Sequence, residues 1–480
     1  MLRTATATPA SGLATLAVPA AANSVAQLET DVLKVITKTS LGWYVWTGSL
    51  IALVAWGVYA YSFQLQNGLI ETGLRDVVIW GFYITNFVFF IGISHAGTLI
   101  SAILRLAHAE WRRPVTRLAE VITAVALMTG ALMPIIDMGR PDRIPYLVLY
   151  GKISSPLVWD ILAIGTYLTG SLIYLYLPLI PDIALARDRL RGTASGLRMW
   201  LYTTLAVGWQ DTPQQRHLLE RALSIMMVII VPIAVSVHTV VSWIFGMTMR
   251  AGWNSTVFGP YFVVGAIFSG IAGIITVMYI FRRVYHLQDY LTDKHFRYLA
   301  YLQLVLGVLY LYFTFAEYLT TGYKMEEGEK NLLHELMQGQ YAPLFWTFLL
   351  GGTVLPTLII ALPWTRTIPL IVFGSVLVNI GMWLKRYIIV VPSLALPLMP
   401  YDWGVYIPSW VEISITVAAF AWFSLLFTLF SKLFPIISVW EVAEGWEHER
   451  AGTELADSHA GANGHNRVLV AETGGGRDAR

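Results

Sequence analysis

Seven ionisable side chains lie inside or at the ends of long apolar stretches of this sequence: His95, Asp137, Asp160, His238, Glu317, Arg386 and Glu412. An ionisable group at membrane depth costs about 2.5–3.5 kcal/mol on insertion scales, so such groups persist mainly where they pair, line water or bind a ligand. Imidazoles and carboxylates are also the side chains that most often exchange protons in proteins. These residue types therefore predict proton-transfer chemistry inside an apolar environment.

A quinone is the type of ligand that would use this chemistry, because its ring is apolar and its two oxygens take up or release protons. His95, Asp137, Asp160 and His238 supply imidazoles and carboxylates for such a site. The sequence contains no cysteine and shows no metal or flavin motif. Electrons must then enter or leave through a partner protein. No basic run indicates nucleic acid as a partner.

Several of these side chains also have a purely structural interpretation. Asp137 could pair with Arg140 or Arg143. Asp160 could occupy a helix N-terminus, where the helix dipole attracts an anion. Three further side chains could simply reach the polar interface from helix ends: Glu317, Arg386 and Glu412.

The two histidines inside apolar stretches require a test for haem ligation. His95 lies ten residues, or about 15 Å, before Arg105 at the inner end of its helix, which places it near the membrane midplane. There it could hydrogen-bond a facing carbonyl. His238 is expected several ångström away in depth. This difference argues against a shared haem, and we expect no metal site.

The elements that must position these groups are membrane helices. Of 480 residues, 56% are hydrophobic and 13% are charged, whereas soluble domains carry about 25% charged residues. A helix needs about 20 apolar residues to cross a hydrocarbon core about 30 Å thick. Ten runs meet that requirement: 41–63, 77–107, 117–137, 156–180, 219–246, 258–281, 298–321, 341–363, 368–391 and 409–434. The predicted fold class is an all-α integral membrane protein with about ten transmembrane helices.

Basic residues predict the orientation, because cytoplasmic connections carry the excess of Lys and Arg. The connections after spans two, four and six are richer in Lys and Arg than those after spans one, three, five and seven. This places both termini in the cytoplasm, and every candidate except His95 then falls in the outer half of the membrane. Residues 1–40 are interpreted as a loose cytoplasmic leader, and residues 441–480 as a disordered cytoplasmic tail.

A faint internal repeat predicts how the spans associate. Span two contains WGFYITNFVFFIGISHAGTLISAILRL and span six FGPYFVVGAIFSGIAGIITVMYIFRRV, which share aromatic, Gly and Ile positions and a basic end. Chance similarity between apolar helices is the alternative. The repeat predicts two four-helix bundles, 77–246 with the quinol site and 247–391. Residues 41–76 and 392–440 hold the flanking first and last transmembrane helices.

Three stretches resemble the NrfD/polysulfide-reductase membrane-subunit family. They are SHAGTLISAILRL around His95, IDMGRPDR around Asp137, and the pair FAEYLTTGY with NIGMWLKRYIIVVPSL. The resemblance covers roughly residues 41–440. With ten spans rather than eight, the chain looks most like the ActC-type subunit of alternative complex III. Family members usually carry an acidic residue where Lys385 stands, which leaves the role of that position open.

The resemblance implies a quinol-oxidising subunit of the bacterial inner (cytoplasmic) membrane that is not active alone. Its substrate would be quinol, with menaquinol expected, and haem and iron–sulfur clusters would lie on partners. These partners are an extracytoplasmic iron–sulfur subunit, a multihaem cytochrome c subunit and a second NrfD-like membrane subunit. Proton release would be outward, with proton translocation undecided.

Residue roles follow from the matching motifs. His95 and Asp137 are the first candidates for quinol contact, and Asp160 and His238 come next. The hypothesis is that His95 accepts a quinol proton and that Asp137 or Asp160 relays it outward. Three residues remain for proton conduction or packing: Glu317, Arg386 and Glu412.

Three alternative functions remain open. The same fold could reduce quinone as the membrane anchor of a hydrogenase or of a polysulfide or molybdenum reductase. A secondary transporter is a second alternative, because internal repeats are common in that class. Pro134 and Pro232 lie inside spans, but they do not form the matched pair of broken helices that transporters show. A scaffold that only holds soluble redox subunits at the membrane is the third.

Overall fold

The computed structural model describes residues 25–399 and 402–447, and its regular secondary structure in these ranges is helical. The helices are α1 (Val25–Thr37), α2 (Leu41–Asn67), α3 (Phe82–Leu106), α4 (Arg113–Asp137), α5 (Ile144–Leu149), α6 (Pro156–Arg189), α7 (Gly196–Leu205), α8 (Pro213–Gly246), α9 (Phe258–Val284), α10 (Asp293–Lys324), α11 (Glu327–Met337), α12 (Ala342–Trp346), α13 (Leu355–Ala361), α14 (Ile368–Ala395) and α15 (Trp410–Leu433).

Ten helical stretches in the described ranges are long and apolar enough to cross a membrane, and each matches one predicted span. The predicted fold class is therefore confirmed. The eighth stretch consists of α12, a π-helical segment at Thr347–Val354, and α13. The short break predicted between spans eight and nine is also present, because α13 ends at Ala361 and α14 begins at Ile368.

Several membrane helices are longer than their apolar runs. The structure extends α6 to Arg189, where the apolar run ends at residue 180, and begins α8 at Pro213 instead of residue 219. Helices continue into the polar interface until a capping residue or a glycine stops them. At α8 the start is set by Thr212, whose side chain forms a capping box with Gln215.

The membrane helices form two four-helix groups and a flanking pair. The first bundle contains α3, α4, α6 and α8, and the second contains α9, α10, α12–α13 and α14, while α2 and α15 pack on each other. The bundles meet mainly where α3 lies against α9. In α3, 94% of the most apolar window is buried, as expected for a helix that is apolar on all faces.

Close helix contact within the first bundle depends on glycine. A Cβ atom at Gly97 of α3 would lie inside van der Waals contact of the Ala119 carbonyl and the Thr123 hydroxyl of α4. Small residues allow such close approach of membrane helices, because lipid provides no hydrophobic drive for their association. Gly97 therefore fixes how deeply α3 packs against α4, two residues after His95.

Both predicted terminal extensions are partly ordered. Residues 25–37 of the predicted leader form α1, which buries Leu28, Val32 and Ile36. Residues 439–447, the last ones described, are helical and include the start of the predicted tail. Residues 1–24 and 448–480 of the predicted leader and tail lie outside the described residues.

Candidate functional site

His95 is fully buried near the middle of α3. Its Nδ1 lies 2.8 Å from the Ile91 carbonyl oxygen, and its Nε2 lies 2.5 Å from the Ala234 carbonyl oxygen on α8. A neutral imidazole has one N–H, so it can donate to only one of these oxygens, whereas the doubly protonated ring can donate to both. The neutral ring therefore leaves one of these two oxygens without a hydrogen from His95.

His238 on α8 is also fully buried, and neither ring nitrogen has a hydrogen-bond partner in the described part of the chain. Its ring centroid lies 4.4 Å from that of His95. The two rings are therefore in contact, and any difference in depth between them is no larger than this distance. Both nitrogens of His95 face carbonyl oxygens, so haem ligation by His95 would require one of these two contacts to break.

Buried hydroxyl groups continue from His95 along α3. The Tyr167 ring centroid lies 5.0 Å from the His95 ring. The Tyr167 hydroxyl donates toward the Ser94 carbonyl at 3.2 Å and lies 3.1 Å from the Thr98 hydroxyl. These groups lead from the histidine pair toward the end of α3 that carries Arg105.

Glu120 on α4 and Asp182 on α6 are almost fully buried further along the same direction. Arg117 lies between them, with N–O distances of 3.8 Å to Glu120 and 3.0 Å to Asp182. Neither carboxylate is among the seven candidates taken from the sequence. Glu120 lies inside predicted span 117–137, so the sequence alone could have identified it as an ionisable residue at membrane depth. Asp182 lies just beyond the predicted end of span four at residue 180, so the same criterion would have missed it.

A third buried carboxylate, Glu441, closes this end of the first bundle. It forms ion pairs with Arg105 and with Arg112, the latter at 3.0 Å. Arg113 donates to the Glu441 carbonyl at 2.6 Å. Burial opposes ionisation of Glu441, but the neighbouring guanidinium groups hold the pKa of this carboxyl below its ordinary value. The segment after α15 is thus tied to α3 and α4.

Asp137 ends α4, and one of its carboxylate oxygens is buried without a hydrogen-bond partner among the described residues. Arg140 pairs instead with Asp142, through two hydrogen bonds of 2.9 and 2.8 Å. The geometry therefore does not support the structural interpretation of Asp137 as a partner of Arg140.

Glu412 is fully buried and holds connecting segments together. Its carboxylate accepts hydrogen bonds from the Gly73 N–H at 2.6 Å, the Ser409 N–H at 3.0 Å and the Tyr406 hydroxyl at 2.6 Å. All three donors lie outside the membrane helices. This geometry corresponds to the packing alternative for Glu412.

Asp160 lies in the first turns of α6, and its side chain is buried with one oxygen unpartnered in the described ranges. Its position near the helix N-terminus favours a negative charge. The preceding residue, Trp159, packs edge-on against Trp243 of α8, with 6.3 Å between ring centroids. Asp160 therefore lies near the contact between the start of α6 and the last turns of α8.

The second bundle holds a separate polar group around Lys385. The Lys385 ammonium donates to the Tyr318 hydroxyl at 2.9 Å and faces the rings of Tyr261 and Phe348. Glu317, the residue before Tyr318, accepts a hydrogen bond from Ser255 at 2.6 Å. Lys385 is thus held by aromatic rings and a phenol, while the carboxylate of Glu317 is turned to the start of α9.

Arg386 connects the two bundles. Its guanidinium donates to the Met382 carbonyl at 3.2 Å. It also lies against Gly92 of α3, where an added Cβ would be 3.1 Å from the Arg386 Nη2 atom. Gly92 lies about one helical turn before His95 on α3. The sequence placed Arg386 near a helix end, but its contact with Gly92 brings it beside the histidine pair.

A cleft of about 640 Å³ lies between α8 and α9, on the side where α8 ends and α9 begins. Its wall includes Val235, Thr239 and Trp243 of α8 and Gly259 of α9. Thr239 directly follows His238 in α8. Apolar clefts with few polar groups are the usual form of small-molecule sites. Neither histidine lines the cleft.

The structure thus separates the predicted site residues into groups. His95 and His238 lie together, Arg386 packs against Gly92 of the same helix α3, Asp137 and Asp160 each keep an oxygen without a partner among the described residues, and Glu317 belongs to the second bundle. In the described ranges, no three His, Asp or Glu side chains are grouped to hold a metal ion.

A sequence model of the family described as polysulphide reductase, NrfD, matches residues 70–397. This range includes all eight helices of the two bundles and every candidate residue except Glu412. The chain belongs to the NrfD family. The match confirms the family resemblance of the motifs around His95, Asp137 and Arg386.

Three curated relatives extend this NrfD assignment. The membrane subunit of a putative dimethyl sulfoxide reductase of Halobacterium salinarum is 33% identical over 233 residues, about half of each chain (48% and 50%). A selenate reductase subunit of Mesobacillus selenatarsenatis is 26% identical over 81% of this chain and 93% of the relative. The menaquinone reductase integral membrane subunit of Nitratidesulfovibrio vulgaris is 23% identical over 82% and 91%.

Proposed function

We propose that this NrfD protein is the quinol-oxidising membrane subunit of a respiratory oxidoreductase. The observation that carries the proposal is a set of buried polar atoms that the first bundle leaves unpaired: both nitrogens of His238 and one oxygen each of Asp137 and Asp160. Buried polar groups without partners are rare in folded proteins and often belong to sites of binding or catalysis. In an apolar bundle each of them also carries a large desolvation cost.

Quinol oxidation would account for these buried groups, because the reaction releases protons that they could accept. The reaction converts one quinol to quinone and releases two protons and two electrons. His95 is placed to take up a proton, because a ring between two carbonyl acceptors can donate to both only when it is doubly protonated. His238 lies 4.4 Å from it, and its two nitrogens have no partner among the described residues. Asp137 and Asp160 lie where α4 ends and α6 begins, on one side of the bundle, and would relay protons outward.

The cleft between α8 and α9 offers a route from the lipid. It contains Trp243 and Thr239 and opens beside the helix that carries His238. A quinone ring that entered there would have an aromatic wall, and its oxygens would lie on the side of α8 next to the histidine pair. The electrons would leave to a partner subunit, since the chain has no cysteine for a cluster.

In its more specific form, the proposal is that the chain is an ActC-type subunit of alternative complex III in the bacterial inner membrane. Its substrate would be menaquinol, and both termini would lie in the cytoplasm. In that assembly the electrons pass to an extracytoplasmic iron–sulfur subunit and a multihaem cytochrome c subunit, beside a second NrfD-like subunit. Copurification of a cytochrome c with characteristic haem absorption supports this version. Copurification of a molybdenum or selenate-type reductase without cytochrome c contradicts it.

The second candidate function is quinone reduction in the same fold. The name of one relative favours it, because that relative is a menaquinone reductase subunit; the other two are named for the reduction of dimethyl sulfoxide and selenate, not of quinone. The buried imidazoles and carboxylates would then deliver protons to the ring. The direction of electron transfer is tested by supplying the purified complex either with quinol and an oxidised acceptor or with quinone and a reduced donor, and by comparing the two rates.

The core proposal is tested with His95→Gln in the purified complex. We expect quinol turnover to fall by a factor of about 10² or more, as for loss of a positioned acid–base group, with assembly unchanged. His217→Gln is the matched control, because His217 is exposed at the start of α8. Turnover in His95→Gln equal to that of the control would remove the histidine pair from the mechanism.

A further inference from the structure

A large cavity of about 1190 Å³ lies between the flanking helices and the bundles, and neither His95 nor His238 lines it. Its deep end is formed by Phe89 and Phe90 of α3, Phe420 of α15 and Asn379 of α14. Its mouth is formed where α2 begins, α15 ends and α9 ends, and α1 crosses it. The cavity therefore runs from one membrane interface toward the middle of the protein.

The depth of this cavity is close to the thickness of the hydrocarbon layer of one lipid leaflet. On α15 its wall extends from Phe420 to Lys432, which is about 18 Å at 1.5 Å per residue. Half of a hydrocarbon core about 30 Å thick is about 15 Å. An occupant with its polar end at the mouth and apolar chains as long as a leaflet fits these dimensions.

The mouth carries charges that the protein leaves free. Lys34 of α1 and Lys38, just after its C-terminal end, are exposed, and neither ammonium forms an ion pair or hydrogen bond in the described ranges. By contrast, Lys432 donates to the Val35 and Lys38 carbonyls, both at 2.7 Å, and holds α1 in place. Two lysines thus remain for an anionic group at the mouth.

Hydrogen-bonding groups at the mouth add a second recognition element. The Trp43 indole N–H, in the first turn of α2, is buried without a partner in the described chain. Asp31 and Asp289 also line the mouth. Asp31 already accepts the Tyr290 hydroxyl at 3.0 Å through one oxygen, which leaves its other oxygen available. A ligand that matches this mouth would carry an anionic group for the two lysines and a hydrogen-bond acceptor for the Trp43 indole. It would also carry a hydrogen-bond donor for Asp31 or Asp289.

We propose that this cavity binds a diacyl phospholipid whose headgroup carries hydrogen-bond donors, ethanolamine or glycerol. The phosphate contacts Lys34 and Lys38, an ester carbonyl accepts from Trp43, and the headgroup donates to Asp31 or Asp289. The acyl chains occupy the aromatic depth of the cavity. The bound lipid fills the space between α1, α2, α15 and the bundles, and so stabilises the flanking pair.

A quinone is the competing occupant. The titratable groups that line the cavity lie at its mouth, while its deep end offers phenyl rings and the amide of Asn379. A quinone ring buried in the deep end would have no acid or base beside it. The charge pattern at the mouth therefore favours a phospholipid.

The test uses the full-length chain, purified in mild detergent with the subunits that accompany it. Lipids retained per chain are quantified by mass spectrometry, and delipidated protein is then supplied with phosphatidylethanolamine, phosphatidylglycerol or phosphatidylcholine. We expect ethanolamine or glycerol lipid to be retained and to raise the midpoint of thermal unfolding. Phosphatidylcholine, which lacks headgroup donors, should have a smaller effect.

Variants locate the site. The double variant Lys34→Gln/Lys38→Gln should weaken lipid retention by about tenfold, since each lysine near a lipid phosphate contributes measurably. Lys152→Gln is the control, because Lys152 is exposed and lies outside the cavity. Thr276→Phe, on the cavity wall of α9, should expel the acyl chains without changing the mouth.

Three results would overturn the proposal. They are equal retention in the wild type and in both cavity variants, equal stabilisation by phosphatidylcholine, and recovery of a quinone in place of phospholipid from the cavity. Should the lysine double variant fail to fold, Thr276→Phe and the lipid series decide the question.

Discussion

The imidazole rings of His95 and His238 lie 4.4 Å apart, centroid to centroid, and both side chains are fully buried between α3 and α8. One ring contacts two carbonyl oxygens, whereas the other has no hydrogen-bond partner in the described ranges. Two adjacent rings cannot both carry a positive charge without strong repulsion in an apolar setting. The pair is therefore suited to hold one additional proton, and thus one positive charge, at a time.

His238→Leu separates a functional from a structural role. Leucine removes two unpartnered nitrogens from an apolar interior, so we expect the resistance to thermal or detergent unfolding to stay equal or rise. Quinol turnover should fall at least tenfold, because one member of the proton-accepting pair is lost. Lower stability with normal turnover would show that the ring serves only packing.

Gly97→Ala tests whether α3 and α4 must approach so closely beside His95. The added methyl group collides with the Ala119 carbonyl and the Thr123 hydroxyl, so we expect a loss of about 1–3 kcal/mol in unfolding free energy. Gly165→Ala in α6 is the matched control, because no atom lies within 4 Å of its added Cβ. That variant should be neutral or slightly stabilising. Equal effects of the two substitutions would refute the close-packing explanation.

Glu441→Gln tests the ion cluster that ties the segment after α15 to the first bundle. Removing the charge leaves Arg105 and Arg112 without their buried carboxylate, which should cost about 3 kcal/mol or more in stability. Glu444→Gln is the control; its side chain is 38% exposed in its pair with Arg113, so a loss below about 1 kcal/mol is expected.

The same cluster predicts a pH dependence. Because the pKa of Glu441 is held below its ordinary value of 4.5, its ionised form contributes stability that is fully present above that value. This contribution is lost as the pH falls through the lower pKa of the folded protein. Unfolding midpoints measured from pH 7 downward should converge for wild type and Glu441→Gln in acid. A constant difference at every pH would contradict the assignment.

Glu317→Gln tests proton conduction through the second bundle. The glutamine can keep the hydrogen bond to Ser255, which is 2.6 Å long in the native protein, but it cannot carry a proton. We expect quinol turnover to remain within about twofold of wild type, while the number of protons moved per quinol in proteoliposomes falls. Glu326→Gln, at an exposed glutamate, should change neither quantity. Unchanged proton yield in Glu317→Gln would assign this residue to packing.

The sequence by itself determined the number and approximate place of the ten membrane helices. Long apolar runs have no other stable arrangement in lipid, where every backbone polar group must be paired within the segment. The family also followed from sequence, because the motifs around His95 and Asp137 lie within the matched range 70–397. These features depend on local composition and on short stretches of contiguous residues, which a single chain displays directly.

Only the tertiary structure decided which polar groups meet. It brought His95 to His238, brought Arg386 from the second bundle to Gly92 of the first, and paired Arg140 with Asp142 rather than Asp137. Relative depth, helix rotation and the course of connecting segments set these contacts, and residue counts along one helix do not determine them. The charge cluster around Glu441 is of the same kind, since a residue beyond the last membrane helix returns to helices more than 300 positions earlier in the chain.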